Sequence, residues 1–116
     1  MLDPSQRFEA LRARYARSFA SKHKALAAVW YALEAAPDAK GTRELQLLVH
    51  RLAGSAPAYG YVQLGALARS IDGTLSEWHD EPAARRGDAA KIVDAVREPM
   101  QAILDALQQQ AAAPHG

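Results

Sequence analysis

The sequence predicts an all-α protein: an antiparallel four-helix bundle with a short additional helix at its N-terminus. Three observations carry that expectation. Ala, Leu, Arg, Lys, Glu and Gln, all strong helix formers, dominate the chain. No stretch alternates apolar and polar residues over a strand's length, and β-branched residues are too few for a sheet. Apolar residues instead recur at three- and four-residue intervals, in segments separated by Pro, Gly and Asp.

The elements follow in order. Asp3-Pro4-Ser5 reads as a helix start, with Pro4 tolerated in the first turn. Phe8, Leu11, Tyr15, Phe19, Leu26, Val29, Trp30 and Leu33 then recur at helical spacing. The stripe turns polar around Ser21 to His23, so a short helix, a bend near Ser18 to Ser21 and a second helix to Ala36 are expected. Pro37-Asp38 and Gly41-Thr42 mark a turn, with Thr42 read as the cap of the next helix. That helix carries Leu45, Leu48, Val49, Leu52 and Ala56 on one face and should stop near Tyr59-Gly60. A further helix from Tyr61 to His79 has Leu64, Leu67, Ala68, Ile71, Leu75 and Trp78 as its stripe. Asp80 to Gly87, with Pro, Gly and four charged side chains, reads as a connector. The last helix begins near Asp88, carries Ile92, Val96, Met100, Ile103 and Leu107, and should kink at Pro99. Four main helices with one apolar stripe each and short connections imply the bundle. One domain over 1–116 is expected, with a helical core from 5 to 110 and a frayed tail from 111 to 116.

Bulk properties narrow the function classes. Of the 116 residues, 49% are hydrophobic and 23% charged, an ordinary globular composition, and the net charge of +1 gives no reason to expect nucleic acid or an anionic membrane as partner. The chain has no cysteine, which excludes disulfides, thiolate metal sites and a cysteine nucleophile. No apolar run approaches the roughly 20 residues needed to span a bilayer. The N-terminus lacks the apolar core of a secretory signal. A cytoplasmic monomer is the expectation.

The informative helix is the one beginning near Thr42. On a wheel of 100° per residue, its apolar face spans about 100°, and His50 falls roughly 140° from the centre of that arc. His50 is therefore expected to face outward. Its helix-surface neighbours are Gln46, Leu47, Ala53 and Gly54, with Pro57 two turns along. Ala53, Gly54 and Pro57 offer little bulk, and Leu47 lies off the core arc. A glycine inside a helix costs about 1 kcal/mol relative to alanine. Placing one beside an exposed histidine points to something coming close to the backbone there, and an exposed Leu47 beside the site would suit a docking surface. Taken singly, an exposed helical His is most often an ordinary surface residue, and a late Gly-Ser pair is often only a terminus.

The run Val49-His50-Arg51-Leu52-Ala53-Gly54-Ser55-Ala56-Pro57-Ala58-Tyr59-Gly60 resembles the signature of histidine phosphotransfer (HPt) domains. That signature is His, any residue, Leu, usually Lys, Gly, Ser, then a Gly that ends the helix. Leu64, Ala68 and Ile71 extend the likeness, whose strong part runs from Leu45 to Asp72. The family fold is a four-helix bundle with a short extra N-terminal helix. The resemblance implies a phosphorelay of the bacterial two-component kind. His50 takes a phosphoryl group from the phosphoaspartate of a receiver domain, in a response regulator or hybrid histidine kinase, and passes it to another receiver. The protein is then a phosphoryl carrier, not an enzyme. It holds no cofactor and no metal of its own, with Mg²⁺ expected on the receiver partner. The resemblance makes Nε2 the attacking atom and places Asp72 where a polar side chain approaches the ring. The alternative is that Asp72 is a solvated carboxylate beside Gly73. Gly54, Ser55 and Arg51 complete the supporting set, and the resemblance makes Gln46, Leu47, Ala53 and Pro57 the receiver-docking surface. Imidazole suits the task because it is substantially neutral near pH 7 and nucleophilic.

Two departures stand out. Ala53 occupies the position of the family's usual lysine, so the phosphoryl charge must be met elsewhere. Arg51 is nearest in sequence but points about 100° around the helix, whereas Arg43 shares the face of His50 about two turns away. Slower transfer or an altered phosphohistidine lifetime is the expected consequence. Pro57 lacks the N–H that would bond to the Ala53 carbonyl, so it ends or kinks the helix.

Other histidines read as structural. His23 lies among lysines as a solvated residue, His115 is in the tail, and His79 ends a helix where a cationic ring favours the dipole. Trp30, Tyr31 and Trp78 fit core positions better than a ligand pocket. Two rival readings remain: a non-transferring HPt-like module that binds a receiver or kinase, and a generic helical enzyme or ligand-binding bundle. The His-Gly-Ser run argues against the first, and the absence of polar groups from the core stripes against the second.

Overall fold

A computed structural model describes residues 1–112, and among them all regular structure is helical. The helices are α1 (Pro4–Ala16), α2 (Phe19–Ala35), α3 (Ala39–Ser55), α4 (Val62–Asp80), α5 (Ala83–Arg86) and α6 (Ala89–Ala112). A single 3-10 turn, Pro57–Tyr59, follows α3.

Local chemistry explains most boundaries. Asp3 caps α1 through the Gln6 amide at 2.8 Å, and the Gln6 side chain returns the bond to the Asp3 N–H, so both orphan donors are satisfied. The break between α1 and α2 falls at Arg17-Ser18, slightly earlier than the polar stretch indicated. Ala36 leaves the helical region, with φ −147° and ψ 81°, and ends α2 just before Pro37, which disfavours helical backbone at the residue preceding it. The cap of α3 is Asp38, not Thr42: the Asp38 carboxylate accepts from the Gly41 N–H at 2.6 Å. Thr42 lies one turn inside the helix and is fully buried.

The other end of α3 shows what Pro57 does. The helix stops at Ser55, and the chain turns through Pro57–Tyr59 to Gly60, whose φ of 87° requires glycine. The expected connector after α4 contains the short helix α5. Pro99 lies inside α6, which continues as one helix through it. Residues 111 and 112, expected to fray, belong to α6, and the rest of the expected tail, with His115, lies outside the described residues.

α2 packs against α3 and α6, and α4 packs against the same two helices. Their buried side chains form one cluster, including Trp30, Leu33, Leu45, Val49, Ile71, Leu75, Met100, Ile103 and Leu107. α3 and α4 run in opposite directions, because Thr42 meets His79, His50 meets Asp72 and Pro57 meets Gly65. α1 departs from expectation. It buries only Ala16, while Phe8 and Leu11 of the expected stripe are exposed. It is held at its C-terminal end, where Tyr15 stacks on Tyr59 and the Arg12 guanidinium lies over the Tyr61 ring.

Candidate functional site

The centre of α3 places His50 next to fully buried Val49 and turns it outward, with 71% of its side chain exposed. Across the groove, α4 presents Asp72 at the level of His50. The Asp72 Oδ2 lies 2.8 Å from His50 Nδ1. An ionised carboxylate only accepts, so the proton of a neutral ring sits on Nδ1 and the lone pair on Nε2. Asp72 is itself held: the Gln46 amide donates to its other oxygen at 3.4 Å, a long bond. Gln46 and His50 are one helical turn apart on α3, so both reach the same carboxylate. The ring is thereby fixed in tautomer and orientation with Nε2 free of protein hydrogen bonds among the described residues. Arg43, Gln46, Leu47 and His50 line a shallow depression of about 340 Å³ on this face. Leu47 is half exposed there.

The other expected site residues divide. Gly54 is exposed, and a Cβ added to it would meet nothing within 4 Å, so the surface beyond His50 is clear. Ala53, expected on the docking surface, is instead 8% exposed and part of the core cluster. The wheel centred the buried arc on the leucine stripe, but packing against α4 widens that arc to include position 53. Pro57 is half-buried, with its ring seated on Gly65 of α4. Ser55, expected to support the histidine, turns the other way and bonds the Tyr15 hydroxyl at 2.6 Å. Arg51 also faces away from His50, and lines a cavity of about 500 Å³ with Tyr15, Lys22, Leu26, Leu48 and Ser55. Burial in this region pushes the Lys22 ammonium below and the Tyr15 phenol above their ordinary ranges.

Gln46 as an anchor for Asp72 was not legible as such, although its four-residue spacing from His50 was the available signal. His79 has the structural place expected of it, but through a different contact. The single Thr42 hydroxyl proton goes to the Ala39 carbonyl at 2.8 Å, so Thr42 Oγ1 accepts from His79 Nε2–H at 3.0 Å. His79 Nδ1 is buried without a partner. Burial first, then the charges of Arg43 and Arg86, hold the His79 pKa below its usual value, so the ring is favoured neutral and is no cationic helix cap. Of the aromatic residues, Trp30 is core, Trp78 is half-buried against it and Tyr31 is exposed.

Among the described residues, no three His, Cys, Asp or Glu side chains converge as a metal site. No helix among them is long and apolar enough to cross a membrane. No family model matches the chain, and neither curated proteins nor solved structures give a match to it.

Proposed function

We propose that the protein is a histidine phosphotransfer domain. It folds as an antiparallel four-helix bundle of α2, α3, α4 and α6 with α1 as the short N-terminal helix. His50 accepts a phosphoryl group from a receiver-domain phosphoaspartate and returns it to another receiver. The observation that carries the reading is the His50–Asp72 pair: an outward imidazole, held at Nδ1 by a carboxylate, with Nε2 open to a partner.

The chemistry follows from that arrangement. The Nε2 lone pair attacks phosphorus. The bond from phosphorus to the receiver's aspartyl oxygen breaks, and its electron pair returns to the receiver carboxylate. The ring becomes positive as the bond forms, and Asp72 stabilises that charge through Nδ1–H. Phosphoryl transfer needs chiefly in-line positioning and charge neutralisation. The bundle therefore supplies an oriented nucleophile, while Mg²⁺ and the activating groups belong to the receiver. Leu47 and the clear surface over Gly54 form part of the docking face, with Gln46 beneath it. A cytoplasmic setting goes with such partners.

The test is transfer from purified receiver domains carrying labelled phosphoaspartate. Label should move to the wild type within minutes, resist alkali as phosphohistidine does, and be absent from His50→Gln. Receivers that bind without transferring label to the wild type would instead establish a non-transferring module. Label retained by His50→Gln would remove His50 as the acceptor.

A further inference from the structure

A phosphoryl group on Nε2 of His50 brings two negative charges to a ring whose other nitrogen already faces the Asp72 carboxylate. A cation within reach stabilises such a dianion. The side chains of an α-helix lean toward its N-terminus, so the His50 ring leans over the turn of Gln46 and Leu47. The depression it lines there is also lined by Arg43. Arg43 stands seven residues before His50, about 20° away around the helix and about 10 Å along it. Both side chains line the same depression, so a phosphoryl group on Nε2 and the Arg43 guanidinium share one surface. No acidic residue lines the depression, and Arg43 makes no ion pair or side-chain hydrogen bond among the described residues. Arg51, by contrast, lines the cavity on the far side of α3.

We infer that Arg43, Gln46 and His50 form a phosphoryl-dianion site in which the Arg43 guanidinium neutralises the group carried on Nε2. The inference rests on the phosphotransfer reading for its physiological use. The site itself is defined by the depression and its one cation.

The experiment separates the two. Phosphoramidate serves as a receiver-independent donor: Nε2 attacks phosphorus, the phosphorus–nitrogen bond breaks, and ammonia leaves with the electron pair. Labelling of His50 is followed by ³¹P NMR. In parallel, inorganic phosphate is titrated while the His50 ring resonances are observed. Arg43→Gln should label about tenfold more slowly, the equivalent of about 1.4 kcal/mol in the barrier. It should also weaken the phosphate-induced ring shifts, with an unchanged thermal melt. Arg43→Lys, which keeps the charge without the planar fork, should stay within about threefold of wild type. Wild-type labelling that Arg43→Gln leaves unchanged overturns the dianion site and leaves the phosphotransfer reading standing. Phosphate shifts that depend on Arg43, with no labelling from phosphoramidate or receivers, support the site and overturn that reading. No response in either assay overturns both.

Discussion

His50 and His79 face the same two helices and are put to opposite uses. His50 donates from Nδ1 to a carboxylate and leaves Nε2 to solvent. His79 donates from Nε2 to Thr42 and buries an unpartnered Nδ1. Burial of the ring, and after it the charges of Arg43 and Arg86, disfavour the protonated form of His79, so its pKa lies below the ordinary 6.5. The consequence for stability has a definite sign. Below about pH 6.5 the unfolded chain binds a proton at this position that the folded protein resists, so unfolding is favoured as pH falls. The stabilising contribution is complete above pH 6.5 and is lost as pH drops through the depressed folded value. Urea denaturation between pH 7.5 and 5 should show this loss in the wild type. His79→Gln, whose amide can still donate to Thr42, should show a flatter profile. Equal slopes for the two proteins would exclude His79 as the source.

At the scale of elements, the pairing of α3 with α4 builds the site. Its spacing is set where Pro57 lies against Gly65. A Cβ at position 65 would overlap the proline ring, and the ring is rigid. Gly65→Ala gains helix propensity worth about 1 kcal/mol but incurs an overpacking cost of about 1–3 kcal/mol. A net loss of stability is expected on chemical denaturation, together with a weaker His50–Asp72 bond as the helices part. Adding Pro57→Ala removes the ring and should recover part of the loss, a positive coupling readable in a double-mutant cycle. Strict additivity of the two changes would show that the contact does not set the spacing. The proline that looked like an oddity of the helix end thus has a place in the packing.

Over the whole molecule, α1 stands apart from the core that joins α2, α3, α4 and α6. It meets the rest through Ala16, the Tyr15–Ser55 bond and the contacts of Tyr15 and Arg12 with Tyr59 and Tyr61. Deleting residues 1–11 leaves all of these in place and removes only exposed side chains. The urea midpoint should shift by less than about 1 kcal/mol of unfolding free energy, as for surface changes away from packed features. A loss of several kcal/mol would mean that Phe8 and Leu11 have partners. Their three-residue spacing promised burial, but spacing reports only that a face is apolar, not that another element covers it.

That distinction runs through the protein. Helix type and order, the outward direction of His50 and the turn at Gly60 were legible in the chain, because each depends on periodicity or on the backbone demands of a few residues. The opposition of Asp72 to His50 was legible only through resemblance. Its geometry, the contact from Gln46, the burial of Ala53, the turning of Ser55 and Arg51 to the far side of α3 and the lowered pKa of His79 came from the packing. Each depends on which helix lies beside which and at what register. Register is set by contacts between helices, Pro57 on Gly65 and Thr42 on His79 among them, and the pattern of any one helix contains no record of it.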